Sequence, residues 1–134
     1  MKRKKILIVV SNYYPKISEG LIKSSLSYLN RNDIFKIIKV PGIFEIPVTI
    51  SKFINKVDGV LALGCVIKGQ TPHFNFISQS TTNAIMDISI KCKKPIGNGI
   101  ITCLNKSQAK ARIKKGLEAS KAIMSILNQD NRWL

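Results

Sequence analysis

The stretch GVLALG, residues Gly59–Gly64, decides the fold of this chain. Its four central residues are apolar, and no polar residue marks a face that would look toward water. A short apolar run of this kind is typical of a strand that is buried on both faces, as strands are in parallel sheets covered by helices. We therefore predict that Gly59–Gly64 forms a buried strand of a parallel sheet.

On both sides of this stretch, segments typical of strands alternate with segments typical of helices. The other predicted strands are Lys5–Val10, Ile34–Val40 and Pro95–Thr102. Helices are predicted after Ser18 as N-cap, from Glu45 or Pro47 onward, over about 75–91, and as one long final helix from about Ser107 to Asn128. Strand–helix units without a linker or repeat predict one α/β domain, residues 1–134, with a parallel sheet and right-handed crossovers.

The composition fits an ordinary globular protein. The chain has 134 residues, of which 45% are hydrophobic and 22% are charged. Its longest apolar runs, Ile6–Val10 and Val60–Leu63, are too short to span a bilayer, and no signal-peptide pattern follows the first residues. Three cysteines without a C-x-x-C spacing predict reduced thiols and no zinc site. We expect a cytoplasmic protein that has no membrane partner.

The net charge of +15 raises the alternative of a nucleic-acid-binding protein. The lysines are scattered along the chain, and aromatic residues are not interleaved with the basic runs. No recognised DNA- or RNA-binding signature accompanies them. We expect no specific nucleic-acid partner and only weak adhesion to polyanions at low salt.

The loops that follow the strands are where a ligand is expected, because open α/β sheets bind ligands outside the carboxyl ends of their strands. Tyr13 and Tyr14 follow the first strand and either stack on a flat heterocycle or pack on a helix. Glu45 follows the second strand and either caps the next helix or accepts hydrogen bonds from a polyol. The residues alone leave these alternatives open.

The loop after the third strand combines an anion site with a proton donor. Gly69-Gln70-Thr71 leads into a helix and offers backbone N–H groups and a hydroxyl to a phosphate. His73, the one histidine of the chain, follows within a turn, and histidine transfers protons near neutral pH. Spacing alone leaves both a structural and a catalytic histidine open. The last predicted helix contains Arg112, Lys114 and Lys115. These side chains either contact a phosphate or form a solvated basic face, and spacing alone leaves both alternatives open.

Two motifs resemble those of the lumazine synthase (6,7-dimethyl-8-ribityllumazine synthase) family. VPGIFEIP, residues Val40–Pro47, is similar to the family's V-P-G-[AS]-[FW]-E-[IL]-P. LGCVIKGQTPHF, residues Leu63–Phe74, is similar to L-G-[ACT]-V-I-[RK]-G-x-T-x-H-[FY]. The resemblance extends from about Lys5 to Leu127. It implies an α/β fold of the flavodoxin-like type, a three-layer α/β/α sandwich with a four-stranded parallel sheet.

The resemblance also implies a transferase of riboflavin biosynthesis. The family condenses 5-amino-6-(D-ribitylamino)uracil with 3,4-dihydroxy-2-butanone 4-phosphate and releases phosphate and water, without a metal or an organic cofactor. In this chain it implies that His73 transfers protons. It implies phosphate binding by Gln70, Thr71, Arg112 and Lys115. It implies binding of the uracil substrate by Tyr13, Ile43, Phe44, Glu45, Cys65, Val66, Ile67 and Asn98.

The chain departs from the family pattern at three places. Asn98 stands where many members have a phenylalanine, so one pocket wall is expected to be more polar. The segment after Arg112 is several residues shorter than the family's common connection. The arm before the first strand is short, whereas a longer arm in the family favours capsids, so we expect a homopentamer or a pair of pentamers. In such assemblies the active site is shared, with Tyr13 and Glu45 on one subunit and Arg112 on the next.

Two related functions remain as alternatives. One is an archaeal-type riboflavin synthase, a relative with the same fold that lacks the T-P-H-F arrangement, which Thr71–Phe74 retains here. The other is a non-catalytic flavin- or lumazine-binding homologue that keeps the pocket without turnover.

Overall fold

The computed structural model describes residues 3–29, 32–69, 73–130 and 132 of the chain. Its strands are β1 (Lys5–Ser11), β2 (Ile34–Val40), β3 (Gly59–Ile67) and β4 (Ile96–Cys103). Its helices are α1 (Pro15–Leu26), α2 (Ile46–Phe53), α3 (Phe74–Cys92), α4 (Lys106–Ala111) and α5 (Lys115–Leu127), and short 3₁₀ turns at Ile43–Glu45 and Ile54–Lys56 flank α2. The alternation of strands and helices that the sequence predicts is confirmed.

The strands of the described chain form one parallel sheet in the order β2-β1-β3-β4. Side chains of α1, α4 and α5 pack on one face of this sheet, and side chains of α2 and α3 pack on the other. The strand order is that of the flavodoxin-like folds as far as these strands extend. The predicted three-layer α/β/α sandwich is therefore confirmed.

The central strand β3 is buried along its whole length. Leu61 and Leu63 belong to the core under α1 and α5, whereas Val60 and Ala62 belong to the core under α2 and α3. Full burial of an aliphatic side chain contributes about 1.5–3 kcal/mol to folding. The prediction from GVLALG is correct, and the strand continues beyond it to Ile67.

The prediction that Ser18 caps the first helix is wrong. Helix α1 already begins at Pro15, and the hydroxyl of Ser18 donates a hydrogen bond to the carbonyl of Ser11 at the end of β1. Proline is well suited to the first helical position because its fixed φ is helical and its missing N–H would have no partner there. Ser18 therefore fastens the helix to the sheet.

The prediction of one long final helix is also wrong. Helices α4 and α5 are separated at residues 112–114. The backbone nitrogen of Arg112 bonds to the carbonyl of Ala109 at 3.1 Å, and that of Lys115 bonds to the carbonyl of Arg112 at 3.0 Å. These bonds span three residues, as in a tight turn, so the chain changes direction here and places Arg112 at a corner.

Gly116 marks the closest approach of α5 to α1. A Cβ added there would clash with the backbone carbonyl of Leu21 and would lie 3.1 Å from the backbone nitrogen of Ser25. Alanine is favoured over glycine in helices by up to about 1 kcal/mol. Displacing packed backbone costs about 1–3 kcal/mol, so we expect Gly116→Ala to lower the free energy of unfolding in urea by about 1–2 kcal/mol.

Gly20 in α1 provides the matched control. A Cβ added there would lie 2.6 Å from the Cδ1 atom and 3.2 Å from the Cγ1 and Cγ2 atoms of Ile113, so one side chain and no backbone would have to shift. Gly20→Ala should therefore keep the stability of the unaltered protein. Equal stability of Gly116→Ala and Gly20→Ala would contradict the tight contact between α1 and α5.

Candidate active site

The carboxyl end of β3 extends beyond its neighbour β1. Pairing with β1 ends at Leu63, which faces Val10, whereas pairing with β4 continues to Ile67, which faces Cys103. The side chains of Cys65, Val66 and Ile67 are buried. Any contact that these predicted site residues make with a ligand therefore falls to their main-chain atoms.

The two tyrosines after β1 have different surroundings. Tyr13 is 62% exposed, whereas Tyr14 is partly buried and packs against the core under α1. Their rings meet edge to face with centroids 4.9 Å apart, an arrangement that favours a fixed ring orientation. Burial is the main cause that raises the pKa of the Tyr14 phenol, followed by the neighbouring Tyr13. Tyr14 thus supports the fold, and Tyr13 presents its ring at the surface.

The segment after β2 presents one predicted site residue and buries another. Phe44 is 71% exposed, whereas the side chain of Ile43 lies in the core. The Oε1 atom of Glu45 accepts a hydrogen bond from the backbone nitrogen of Gly42 at 2.9 Å and so closes the 3₁₀ turn. No described residue bonds to its Oε2 atom. The side chain therefore closes the 3₁₀ turn and makes no capping bond to α2, so the predicted cap of that helix is not formed. One carboxylate oxygen remains for a ligand.

His73 immediately precedes α3 and is exposed. Its carbonyl accepts the backbone N–H of Ile77 at 2.8 Å, whereas its imidazole has no hydrogen bond to any described residue. Gly69, in the turn after β3, has a φ of +86°, which glycine tolerates best. The predicted phosphate-binding pair Gln70 and Thr71 lies outside the described residues.

Arg112 is hydrogen-bonded to the carboxyl edge of the sheet. Its Nη1 atom donates a hydrogen bond of 2.8 Å to the carbonyl of Thr102, near the end of β4. Arginine carries five N–H donors in a rigid fork, so this one bond orients the group and leaves other donors for an anion. The exposed guanidinium is therefore well placed to bind a phosphate.

Arg112 lines an open groove with a volume of about 1180 Å³. The walls of the groove include the first turns of α3, and its polar side chains include Asn98, Thr102, Lys115 and Glu118. The Oδ1 atom of Asn98 accepts a bond of 3.0 Å from the backbone nitrogen of Ile100. Asn98 therefore contributes a polar side chain to this groove.

Tyr13 lines a different hollow, between the start of α1 and α4. Within one chain, the groove of Arg112 and the hollow of Tyr13 have no lining residue in common. The hollow is also lined by Lys16, Lys106 and Lys110, for which the sequence predicts no role. The sequence signal for two of these lysines is the four-residue spacing of Lys106 and Lys110, which places both on the same face of a helix.

Comparison with known proteins decides the family. The family model of 6,7-dimethyl-8-ribityllumazine synthase matches residues 3–131. The chain belongs to the lumazine synthase family. Members of this family are transferases of riboflavin biosynthesis that act on small molecules. As a family member, this chain is such an enzyme.

Three curated relatives illustrate the similarity. The 6,7-dimethyl-8-ribityllumazine synthase of Bartonella bacilliformis is 41% identical over 83% of this chain and 76% of the relative. That of Bartonella tribocorum is 38% identical over 98% of this chain and 93% of the relative. That of Cutibacterium acnes is 33% identical over 92% of this chain and 80% of the relative.

The cysteines of this lumazine synthase family member are free thiols. Burial, with Cys103 alongside, raises the pKa of the Cys65 thiol to about 12. The thiol therefore stays protonated at neutral pH and is a poor nucleophile. In the part of the chain that the structure describes, no three His, Cys, Asp or Glu side chains cluster to hold a metal ion. The described helices include none that is long and apolar enough to cross a membrane.

Proposed function

We propose that this chain, as one domain, makes 6,7-dimethyl-8-ribityllumazine at the carboxyl edge of its sheet, with His73 as the proton-transferring residue. The substrates are 5-amino-6-(D-ribitylamino)uracil and 3,4-dihydroxy-2-butanone 4-phosphate. The observation that carries the proposal is that both family motifs extend from the carboxyl ends of β2 and β3 and that Arg112 is bonded near the end of β4. Turnover of the two substrates tests it.

The chemistry requires proton transfer but no redox step. The amine of the uracil substrate adds to the ketone of the phosphate substrate, and water leaves to give an imine. Loss of phosphate and closure of the second ring then require protons to be removed and delivered. The imidazole of His73 bonds to no described residue and suits this role, because a positioned general acid–base typically accelerates such steps by about 10²–10⁴-fold. The proposed reaction needs no metal or organic cofactor.

The leaving phosphate requires fixed cationic and N–H donors. We assign this role to Gln70, Thr71, Arg112 and Lys115. The last two line the same groove. A guanidinium held by a carbonyl needs little reorganisation to bind an anion, and its fork contacts phosphate through two parallel bonds. The arrangement favours phosphate over a neutral leaving group.

The uracil substrate combines a flat ring with a polyol chain. We assign Tyr13 as the stacking platform because its ring is exposed and oriented by Tyr14. Phe44 and the free carboxylate oxygen of Glu45 would contact the ring and the ribityl hydroxyls. The remaining contacts are assigned to the main chain of Ile43, Cys65, Val66 and Ile67 and to the amide of Asn98.

Glu45 can be tested separately as a substrate ligand and as a cap. Glu45→Gln keeps an oxygen for the N–H of Gly42 but removes the charge, whereas Glu45→Ala removes both. We expect Glu45→Gln to keep stability and to raise KM for the uracil substrate about tenfold, because bonds to a charged acceptor contribute about 1.5–3 kcal/mol. A normal KM for both variants, measured by steady-state kinetics, would contradict ribityl binding by Glu45.

We also propose a homopentamer, or a pair of pentamers, with the site between subunits. Large apolar side chains are exposed along α2 and α3, including Val48, Phe76 and Ile90, at 60%, 68% and 70%. Exposed apolar side chains on two helices of one face of the sheet favour association with another protein surface. In this arrangement the groove of Arg112 on one subunit meets the Tyr13 and Glu45 side of its neighbour. Free cysteines agree with a cytoplasmic location.

The assembly is measurable by sedimentation velocity. We expect a single species of five or ten subunits and no turnover by any monomer fraction, because each proposed site needs two chains. A monomer with full activity would show that one chain completes the site.

A further inference from the structure

Three lysines surround the hollow in which Tyr13 lies. Lys16 at the start of α1 and Lys106 and Lys110 of α4 form part of its walls, and we call them the lysine cluster. All three are exposed. Among the residues that the structure describes, none of the three has a carboxylate within ion-pairing distance. The cluster therefore presents three cations to solvent beside the proposed uracil platform.

Carboxylates that could offset this charge are held at other positions. Asp58 accepts a hydrogen bond of 2.7 Å from the backbone nitrogen of Lys5, which begins β1 at the opposite edge of the sheet. Asp33 likewise accepts the backbone N–H of Lys4. Glu19, in α1, forms an ion pair of 3.2 Å with Lys39 of β2. None of these three carboxylates is therefore paired with the lysine cluster.

The fold adds to this charge and directs it. Helix α1 begins at Pro15, in the wall of the hollow, so the partial positive charge of its amino end points there. One wall of the hollow is Tyr13, the residue assigned to the uracil ring. An anion attracted to the lysine cluster is thereby concentrated next to the site at which it reacts.

We propose that the lysine cluster draws the phosphorylated substrate to the active site and lowers its KM, without contact with the reacting atoms. This inference rests on the proposed function and adds residues that neither family motif contains. A phosphate carries up to two negative charges, whereas the uracil substrate carries no phosphate, so the effect is selective for one substrate. Because the attraction acts before the chemical steps, kcat is unaffected.

The test compares two triple variants of equal net charge. One is Lys16→Gln/Lys106→Gln/Lys110→Gln, and the control is Lys56→Gln/Lys91→Gln/Lys93→Gln, whose exposed lysines precede β3 and β4 at the opposite edge. For the first variant we expect KM for the phosphate substrate to rise about tenfold at ~0.01 M ionic strength and less than about twofold at ~0.5 M, because salt shortens the Debye length. Its kcat and its KM for the uracil substrate should not change. Both variants are first matched to the unaltered protein by sedimentation.

The outcomes separate this inference from the proposed function. Turnover by the unaltered protein, with a salt-dependent rise in KM confined to the lysine-cluster variant, supports the inference. Turnover with the same KM in both triple variants, or an equal rise in both, overturns the inference and leaves the proposed function standing. Absence of turnover by the unaltered protein overturns both.

Discussion

Replacing His73 by alanine is expected to lower kcat about 100-fold, at the lower end of the usual range for loss of a general acid–base. KM for the uracil substrate should stay near its original value, because the proposed contacts to that substrate come from other residues. The fold should tolerate the change. The side chain is exposed, and it makes no capping bond to α3. Steady-state formation of lumazine, corrected for condensation without protein, measures the effect.

Ser80→Ala is the control for His73→Ala. Ser80 is an exposed residue of the same helix and lies outside the groove of Arg112. Its replacement should leave kcat unchanged. If His73→Ala also keeps its full rate, the protons of the reaction move through another group or through solvent, and the proposed role of His73 is wrong.

Replacing Arg112 by alanine is expected to raise KM for the phosphate substrate about 10- to 100-fold, with a smaller effect on kcat. The magnitude follows from the loss of charge-assisted bonds to phosphate, which contribute about 1.5–3 kcal/mol. Arg112→Lys keeps the charge but loses the fork and the geometry of the bond to Thr102. It should therefore recover only part of the affinity.

The control for Arg112 is Lys121→Ala, which removes one exposed positive charge from α5. Both KM values should be those of the unaltered protein. An effect of Arg112→Ala confined to the uracil substrate would contradict the phosphate role. Circular dichroism and sedimentation check that the variant keeps its helix content and its assembly after the bond to Thr102 is lost.

The sequence predicts the sheet because its signal is local. Each strand is a short apolar segment, and a strand buried on both faces needs no partner to be recognised. The places of the two family motifs in the fold are predictable for the same reason. VPGIFEIP and LGCVIKGQTPHF are continuous motifs, and their position at strand ends follows from the alternation of elements.

The corrected features depend on contacts between distant residues. The corner at residues 112–114 contains no glycine or proline to mark it, and it forms where Arg112 reaches Thr102 and Gly116 meets α1. Serine is a favourable N-cap residue, but the hydroxyl of Ser18 donates its hydrogen bond to a carbonyl at the end of β1. Only the fold shows which tyrosine of the Tyr13–Tyr14 pair reaches the core.

The lysine cluster was missed for a related reason. Lys16 is far from Lys106 and Lys110 along the chain, and among so many lysines no local pattern distinguishes it. Packing of α4 near the start of α1 brings the three together around one hollow. A cluster of charges from distant parts of the chain can be recognised only when the positions of the helices on the sheet are known.

Incubation of the protein with both proposed substrates tests the central claim most directly. The absorbance of 6,7-dimethyl-8-ribityllumazine and the release of inorganic phosphate are followed together. We expect both to rise at equal molar rates, well above the rate without protein, and to depend on the presence of both substrates. Product formation no faster than the uncatalysed background, by protein that sediments as an intact assembly, would contradict the account.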